Sequence, residues 1–230
     1  MRLWRAPFST NVERVALALA HKGLAVESVW SPADCAAHPS LKYALWRDPA
    51  NARGCSLPLV DTYLAVVSKR EVREYSEREL EPEAERRILD AGRVAGSSKN
   101  RQARRFVVVR DDGVREEVAS CVYAGDNVRG AALVVAIVAG RKGPTAFDAG
   151  RAAQNMMLAA SNDGIGSCPN GIAEADRLRE ALEHGEDESV ATVLTFGHPE
   201  KPRRNPQSLA AEEWVRRADR LPFEEIVKEI

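Results

Sequence analysis

Three cations, Lys69, Arg70 and Arg73, stand within five consecutive residues. On an extended segment alternate side chains point the same way, and several cations on one short stretch can hold a phosphate dianion, arginine doing so with a forked set of donors. A solvated charged face is the ordinary alternative for such a run. A second polar segment, Gly96-Ser97-Ser98-Lys99-Asn100-Arg101-Gln102, carries two carboxamides. Each presents a donor beside an acceptor, which suits the edge of a flat heterocycle; a loop closing a helix is the ordinary alternative. A third segment, Gly164-Ile165-Gly166-Ser167-Cys168-Pro169-Asn170-Gly171, is rich in glycine. Glycines permit unusual backbone conformations and expose N–H groups to a flat ligand or a developing charge. Arg220, in Arg220-Leu221-Pro222, could return to the phosphate or simply face solvent.

These residues need elements to position them. Asp148 to Ser161 has helical character, and Ala149, Ala152, Ala153, Ala159 and Ala160 would let another helix approach closely, within the core or across a dimer. Ala132 to Ala139 is a Val/Ile-rich apolar run, the pattern of a central strand buried on both faces. Strands are also expected at Phe106 to Arg110, followed by a turn at Asp111-Asp112-Gly113, and at Val190 to Phe196. Helices are expected at Glu81 to Val94 and Ala173 to His184. Lys201 to Arg220 is basic and poor in apolar residues, and Pro222 to Ile230 is a short closing segment. Upstream, Arg2 to Trp4 reads as a strand. Asn11 to His21 reads as a helix with Val12, Val15, Ala16 and Leu19 on one face, ended by Lys22-Gly23, and Ala25 to Trp30 as a second strand. That is a β-α-β opening. Leu57 to Val60 and Tyr63 to Val67 read as a hairpin around Asp61-Thr62.

The chain has 230 residues and a net charge of -1 with 29% charged residues, a near-balance that gives no general electrostatic case for nucleic acid or an anionic membrane. No apolar run reaches the roughly 18 residues of a membrane span, and no apolar stretch of a signal peptide follows the first residues. The cysteines, Cys35, Cys55, Cys121 and Cys168, lie far apart. Their spacing excludes a local dithiol motif or zinc ribbon and suits thiols in a reducing cytoplasm.

In this order, the segments resemble the FMN-dependent nitroreductase family from about residue 68 to the C-terminus. Lys69-Arg70-Glu71-Val72-Arg73 resembles the family's Arg-Arg-Ser-x-Arg opening. Ser97 to Gln102 with Arg105 to Val109 resembles its Ser-Ser-x-Asn-x-Gln-Pro-Trp-x-Phe motif. Phe147 to Ala160 is similar to its central helix, Gly164 to Pro169 to the loop beyond, Thr195 to Pro199 to its Gly-Tyr-Pro strand end, and Arg220-Leu221-Pro222 to its C-terminal arginine. The resemblance implies an α+β fold, a mainly antiparallel sheet packed with helices, in an intertwined homodimer with FMN at the interface. It implies that Lys69, Arg70, Arg73 and Arg220 hold the phosphate and that Asn100 meets the pyrimidine edge. It places Pro169, Asn170 and Gly171 by the isoalloxazine ring. NAD(P)H would supply hydride, a small nitro-aromatic, quinone or similar acceptor would remove it, and no side chain is assigned as an acid or base. Three positions depart from the family pattern: Glu71 for serine, Ala103-Arg104 for Pro-Trp, and the polar pair Asn162-Asp163 before Gly164. The first puts an anion beside the phosphate where a hydrogen-bond donor is expected; with Arg104 it opens the alternative of a non-catalytic descendant that binds flavin weakly or not at all.

Residues 1–67 resemble part of a glutathione-transferase N-terminal domain, which is thioredoxin-like. Ala6 to Val15 matches its strand–helix junction, with Ser9 at the position that activates the glutathione thiol, and Leu57-Pro58 matches its Val-Pro. A glutathione-binding protein using Ser9 is therefore a second expectation; Ser9 as a helix N-cap is the simpler one.

Overall fold

The computed structural model describes residues 61–230 and two short strands, Arg2–Trp4 (β1) and Glu27–Val29 (β2). The chain divides into two compact units, Met1–Leu59 and Val60–Ile230. In the first, β1 and β2 pair in parallel with Arg2 opposite Glu27, and parallel neighbours need a crossover between them. The helix expected at residues 11–21, Ser9 and Leu57-Pro58 lie outside the described residues.

The second unit is built on an antiparallel sheet of four strands, Arg104–Val109 (β3), Leu133–Gly140 (β4), Gly166–Asn170 (β5) and Glu188–Gly197 (β6), in the order β3-β4-β6-β5. The apolar run at β4 lies between two neighbours and is buried along nearly its whole length, as its composition predicts. Its side chains alternate between two cores. Leu133, Val135, Ile137 and Ala139 face Pro82–Arg93 (α2) and Thr145–Asn162 (α5). Val134 and Ala136 face Asp112–Ser120 (α3), Gly125–Arg129 (α4) and Ala175–Ala181 (α6). Helices thus cover both faces of the sheet, which is why β4 lacks the polar alternation of a half-exposed strand.

The close helix pair foreshadowed by the small residues of α5 forms inside the chain. A Cβ at Gly92 of α2 would stand 2.7 Å from Met156 Sδ of α5, so a larger residue there would force Met156 to shift. Gly164, at φ 74°, lets the chain leave α5 and turn into β5.

Three local expectations are corrected. Tyr63 to Val67 is not a hairpin strand but belongs to the helix Thr62–Ser68 (α1), because Asp61 caps its N-terminus by accepting the Tyr63 N–H at 3.4 Å. Asp111 is likewise a cap and not a turn residue: its carboxylate accepts the Val114 N–H at 2.9 Å and starts α3. The glycine-rich segment before Gly171 is a strand, since β5 finds pairing partners along β6 from Gly197 to Val193. Two short helices, Ala211–Arg216 (α7) and Phe223–Ile226 (α8), complete the unit. Among the described residues no helix is long and apolar enough to cross a membrane.

Candidate functional site

Beyond α1 the chain runs extended past one edge of the sheet. The Val72 N–H donates to the Ser167 carbonyl at 3.0 Å. Glycine at 166 makes this possible, since a Cβ there would stand 2.7 Å from Val72. Tyr75 fixes the other end of the segment. Its ring lies flush on Gly197, where a Cβ would stand 2.8 Å away, and its hydroxyl donates to the Val72 carbonyl at 2.7 Å. Burial pushes the Tyr75 phenol far above its ordinary range. The basic segment is therefore held beside β5, bringing together two stretches that lie far apart in sequence.

Its cations have different surroundings. The Lys69 side chain is only 6% exposed, and its ammonium donates to Glu71 Oε2 at 2.7 Å and to Met157 Sδ of α5 at 3.5 Å. Arg70 donates to the carbonyls of Val67, Lys69 and Trp214 at 2.7, 2.8 and 2.9 Å, with its guanidinium 5.7 Å from the centre of the Trp214 ring. It braces α7, and three of its five N–H donors are taken. Arg73 is exposed and makes no hydrogen bond or ion pair among the described residues. Arg203, which the sequence showed only as part of a basic stretch, joins this group by donating to the Glu71 carbonyl at 3.1 Å. Burial and the nearby Arg70 lower its pKa. Glu71, Arg73, Lys201 and Arg203 line an open cleft of about 320 Å³. Arg220 is not brought into the group by any hydrogen bond or ion pair among the described residues; it is exposed and donates to the Ala218 carbonyl at 2.6 Å.

The carboxamide loop lies at the other end of α5. Asp148, in the first turn of that helix and buried, accepts the Ser98 N–H at 2.9 Å. Lys99, Asn100 and Gln102 all have left-handed backbones, at φ 52°, 53° and 52°. Asparagine tolerates this region better than most residues; a lysine and a glutamine there are strained, and such strain persists only where surrounding contacts enforce it. The Gln102 N–H donates to Ser97 Oγ at 2.9 Å, which closes the loop. The Asn100 and Gln102 side chains are left at the surface. Arg104, where the family pattern has tryptophan, donates to the Gly92 and Ala95 carbonyls at the C-terminal end of α2, where a cation complements the helix dipole.

On β5 the three expected residues divide. Pro169 is exposed. The Asn170 side chain turns inward: its amide donates to the Val193 carbonyl at 3.0 Å, and its Oδ1 accepts from Asn127 Nδ2 at 2.8 Å. That side chain is core structure, so any contribution of Asn170 to a ligand comes from its backbone. Gly171 makes room for Tyr123, whose ring would lie 3.0 Å from a Cβ there, and its carbonyl accepts the Tyr123 N–H at 3.0 Å. Tyr123 is 81% exposed beside Pro169-Asn170-Gly171 in the chain fold. It was not anticipated, although an aromatic between Val122 and Ala124-Gly125 was a visible signal. Burial raises the Cys168 thiol pKa, with Arg73 opposing, so the thiol is a poor nucleophile. Among the described residues no group of side chains is arranged to hold a metal ion.

Residues 114–198, from α3 to just beyond β6, match the model of the nitroreductase family. This stretch is where the chain is similar to that family. It includes Pro169, Asn170 and Gly171; Lys69, Arg70, Arg73, Asn100 and Arg220 lie outside it. The chain is 28% identical over 167 residues to an Archaeoglobus fulgidus protein described provisionally as an NADH dehydrogenase/NAD(P)H nitroreductase, covering 65% of this chain and 96% of that one. A provisionally named nitroreductase from Desulfovibrio desulfuricans, solved in complex with FMN, superposes with a TM-score of 0.62 at 29% identity, over 74% of this chain and 97% of the other. An FMN-dependent nitroreductase from Clostridium difficile superposes with a TM-score of 0.57 at 26% identity, over 65% of this chain and 95% of the other. The α+β fold with an antiparallel sheet is thus that of nitroreductases. None of these findings bears on glutathione binding by Ser9.

Proposed function

We propose that the chain is an NAD(P)H-dependent flavin oxidoreductase of the nitroreductase type, with residues 68–230 as its flavin domain. The observation that carries this reading is the clamp between Val72 and Ser167. It lays a segment of three cations along the edge of a strand inside the family-matched domain, as a flavin site shared between these stretches requires. The kinship with FMN-bound relatives supports FMN as the parent cofactor, and the isoalloxazine ring, not a side chain, carries the redox chemistry. The chain's part is position. Pro169 and Gly171 border the ring region, and the strained Asn100 loop, pinned by Asp148, offers amide groups to its polar edge.

The phosphate end does not fit a free dianion as it stands. The Lys69 ammonium is taken by Glu71 and the Arg70 guanidinium by three carbonyls, which leaves Arg73 as the flexible cation of the segment.

A homodimer is part of the proposal. Phe147 on α5 is 69% exposed, and a Cβ on Gly150, one turn further, would meet nothing within 4 Å. Leu221, Phe223, Ile226 and Ile230 form an exposed apolar tail. Apolar surface of this extent suits coverage by a second copy of the chain. Among the described residues the thiols Cys121 and Cys168 are buried, which suits a cytoplasmic setting.

The test is oxidation of NADH or NADPH by the full chain with added flavin and a quinone or nitro-aromatic acceptor. Turnover that requires both flavin and protein is the expected result; no turnover with either nucleotide across both acceptor classes would contradict it.

A further inference from the structure

The Lys69 ammonium lies at the base of the basic segment with only 6% of its side chain exposed, and a buried ammonium needs a partner. Its partner comes from the same segment. Glu71 reaches back two residues to place Oε2 at 2.7 Å, while the Glu71 side chain keeps 36% of its surface open to the cleft. Arg70 is partly committed, with three of its five N–H donors ending on the carbonyls of Val67, Lys69 and Trp214. Arg203 is engaged with the backbone carbonyl of Glu71 itself. Of the cations that would meet an incoming phosphate, Lys69 is thus neutralised, Arg70 and Arg203 are partly engaged and Arg73 remains, while the Glu71 carboxylate lines the same cleft.

We infer that Glu71 acts as a built-in substitute for a phosphate group, so that this site selects a flavin with an uncharged ribityl chain over its phosphorylated form. This rests on the flavin reading above and specifies its ligand. A phosphate dianion approaching Lys69 must either share the ammonium with a like charge or displace Glu71, so at Lys69 it only exchanges one ionic partner for another, and Arg73 is the one unpaired cation of the segment left to meet it. A ribityl hydroxyl brings no charge. It donates to the open Glu71 oxygen, and the Lys69–Glu71 pair stays intact. Discrimination against the phosphorylated ligand comes from a repulsive element, a common way for a site to reject a close analogue.

The experiment is a titration of the full chain with riboflavin and with FMN, followed by quenching of flavin fluorescence, for the wild type, Glu71→Ser and Glu71→Gln. Neither reading depends on turnover. The wild type is expected to bind riboflavin at least as tightly as FMN. Both variants, which remove the charge with and without a change of size, are expected to shift the FMN-to-riboflavin preference toward FMN by about tenfold or more. A wild type that binds FMN about tenfold more tightly than riboflavin, or variants that leave the ratio unchanged, would overturn the inference and leave the flavin reading standing. Binding of neither flavin by any of the three proteins would overturn both.

Discussion

The two ends of α5 anchor two halves of the candidate site by opposite means. At its N-terminal end a buried carboxylate, Asp148, holds a backbone: it fixes Ser98, and the three left-handed residues that follow keep their side chains at the surface. At its C-terminal end Met157 touches Lys69, and there the side chains consume one another, Lys69 with Glu71 and Arg70 with Trp214. The first end is preorganised for a ligand by strain in the main chain. At the second, Lys69 and Arg70 already have partners and only Arg73 is left for one. Charge at a site is therefore no measure of the charge on offer, and only the pairing shows which cations remain available.

The sharpest way to break the comparison is to weaken the floor common to both ends. Ile137, fully buried on β4 beneath α5, supports each of them. Ile137→Ala should cost about 2–5 kcal/mol in a urea unfolding experiment. Flavin affinity of the fraction that remains folded should be unchanged; a selective loss at one end would show that the ends are not carried by one core.

A smaller and more local effect is expected from Asp148→Ala. It leaves the Ser98 N–H without its acceptor, at a cost of about 1–3 kcal/mol. Hydrogen exchange should accelerate at the Ser98 amide and not at Val72, whose N–H is held by Ser167. Equal acceleration at both would mean that the loop and the basic segment open as one unit.

The smallest effect serves as a control. Arg105 on β3 and the Gly185 N–H hold the Glu188 carboxyl down to about 2 from an ordinary 4.5. A folded-state pKa below the unfolded one stabilises the fold above the unfolded value, and that contribution is lost as pH falls through the folded value. Acid titration should therefore show a shallow loss of stability between pH about 4.5 and about 2 that is absent in Glu188→Gln. A loss of the same size in that variant would place its origin elsewhere.

What was legible in the sequence follows from how local each signal is. The central strand β4 could be read because burial on both faces leaves an uninterrupted apolar run, and α5 because its small residues are spaced for close packing. The helix α1 was missed because Tyr63 to Val67 is β-prone in composition and only the cap at Asp61 decides otherwise. The strand character of β5 was hidden by its glycine and proline, since its regularity comes from pairing with β6. In the site, residue types and order were visible, but partners were not. Nothing local shows that Arg70 would reach Trp214, 144 positions away, or that the Asn170 side chain would turn to Asn127. Tyr123 was overlooked because its neighbour Gly171 meets it only through the fold.

The most direct test of the account is an absorption spectrum of the purified chain after incubation with FMN and, separately, riboflavin, each followed by desalting and anaerobic addition of NADH or NADPH. The account predicts retained flavin bands with at least one of them, bleached by one or both nucleotides. A protein that retains neither flavin, or retains one that neither nucleotide reduces, would contradict it.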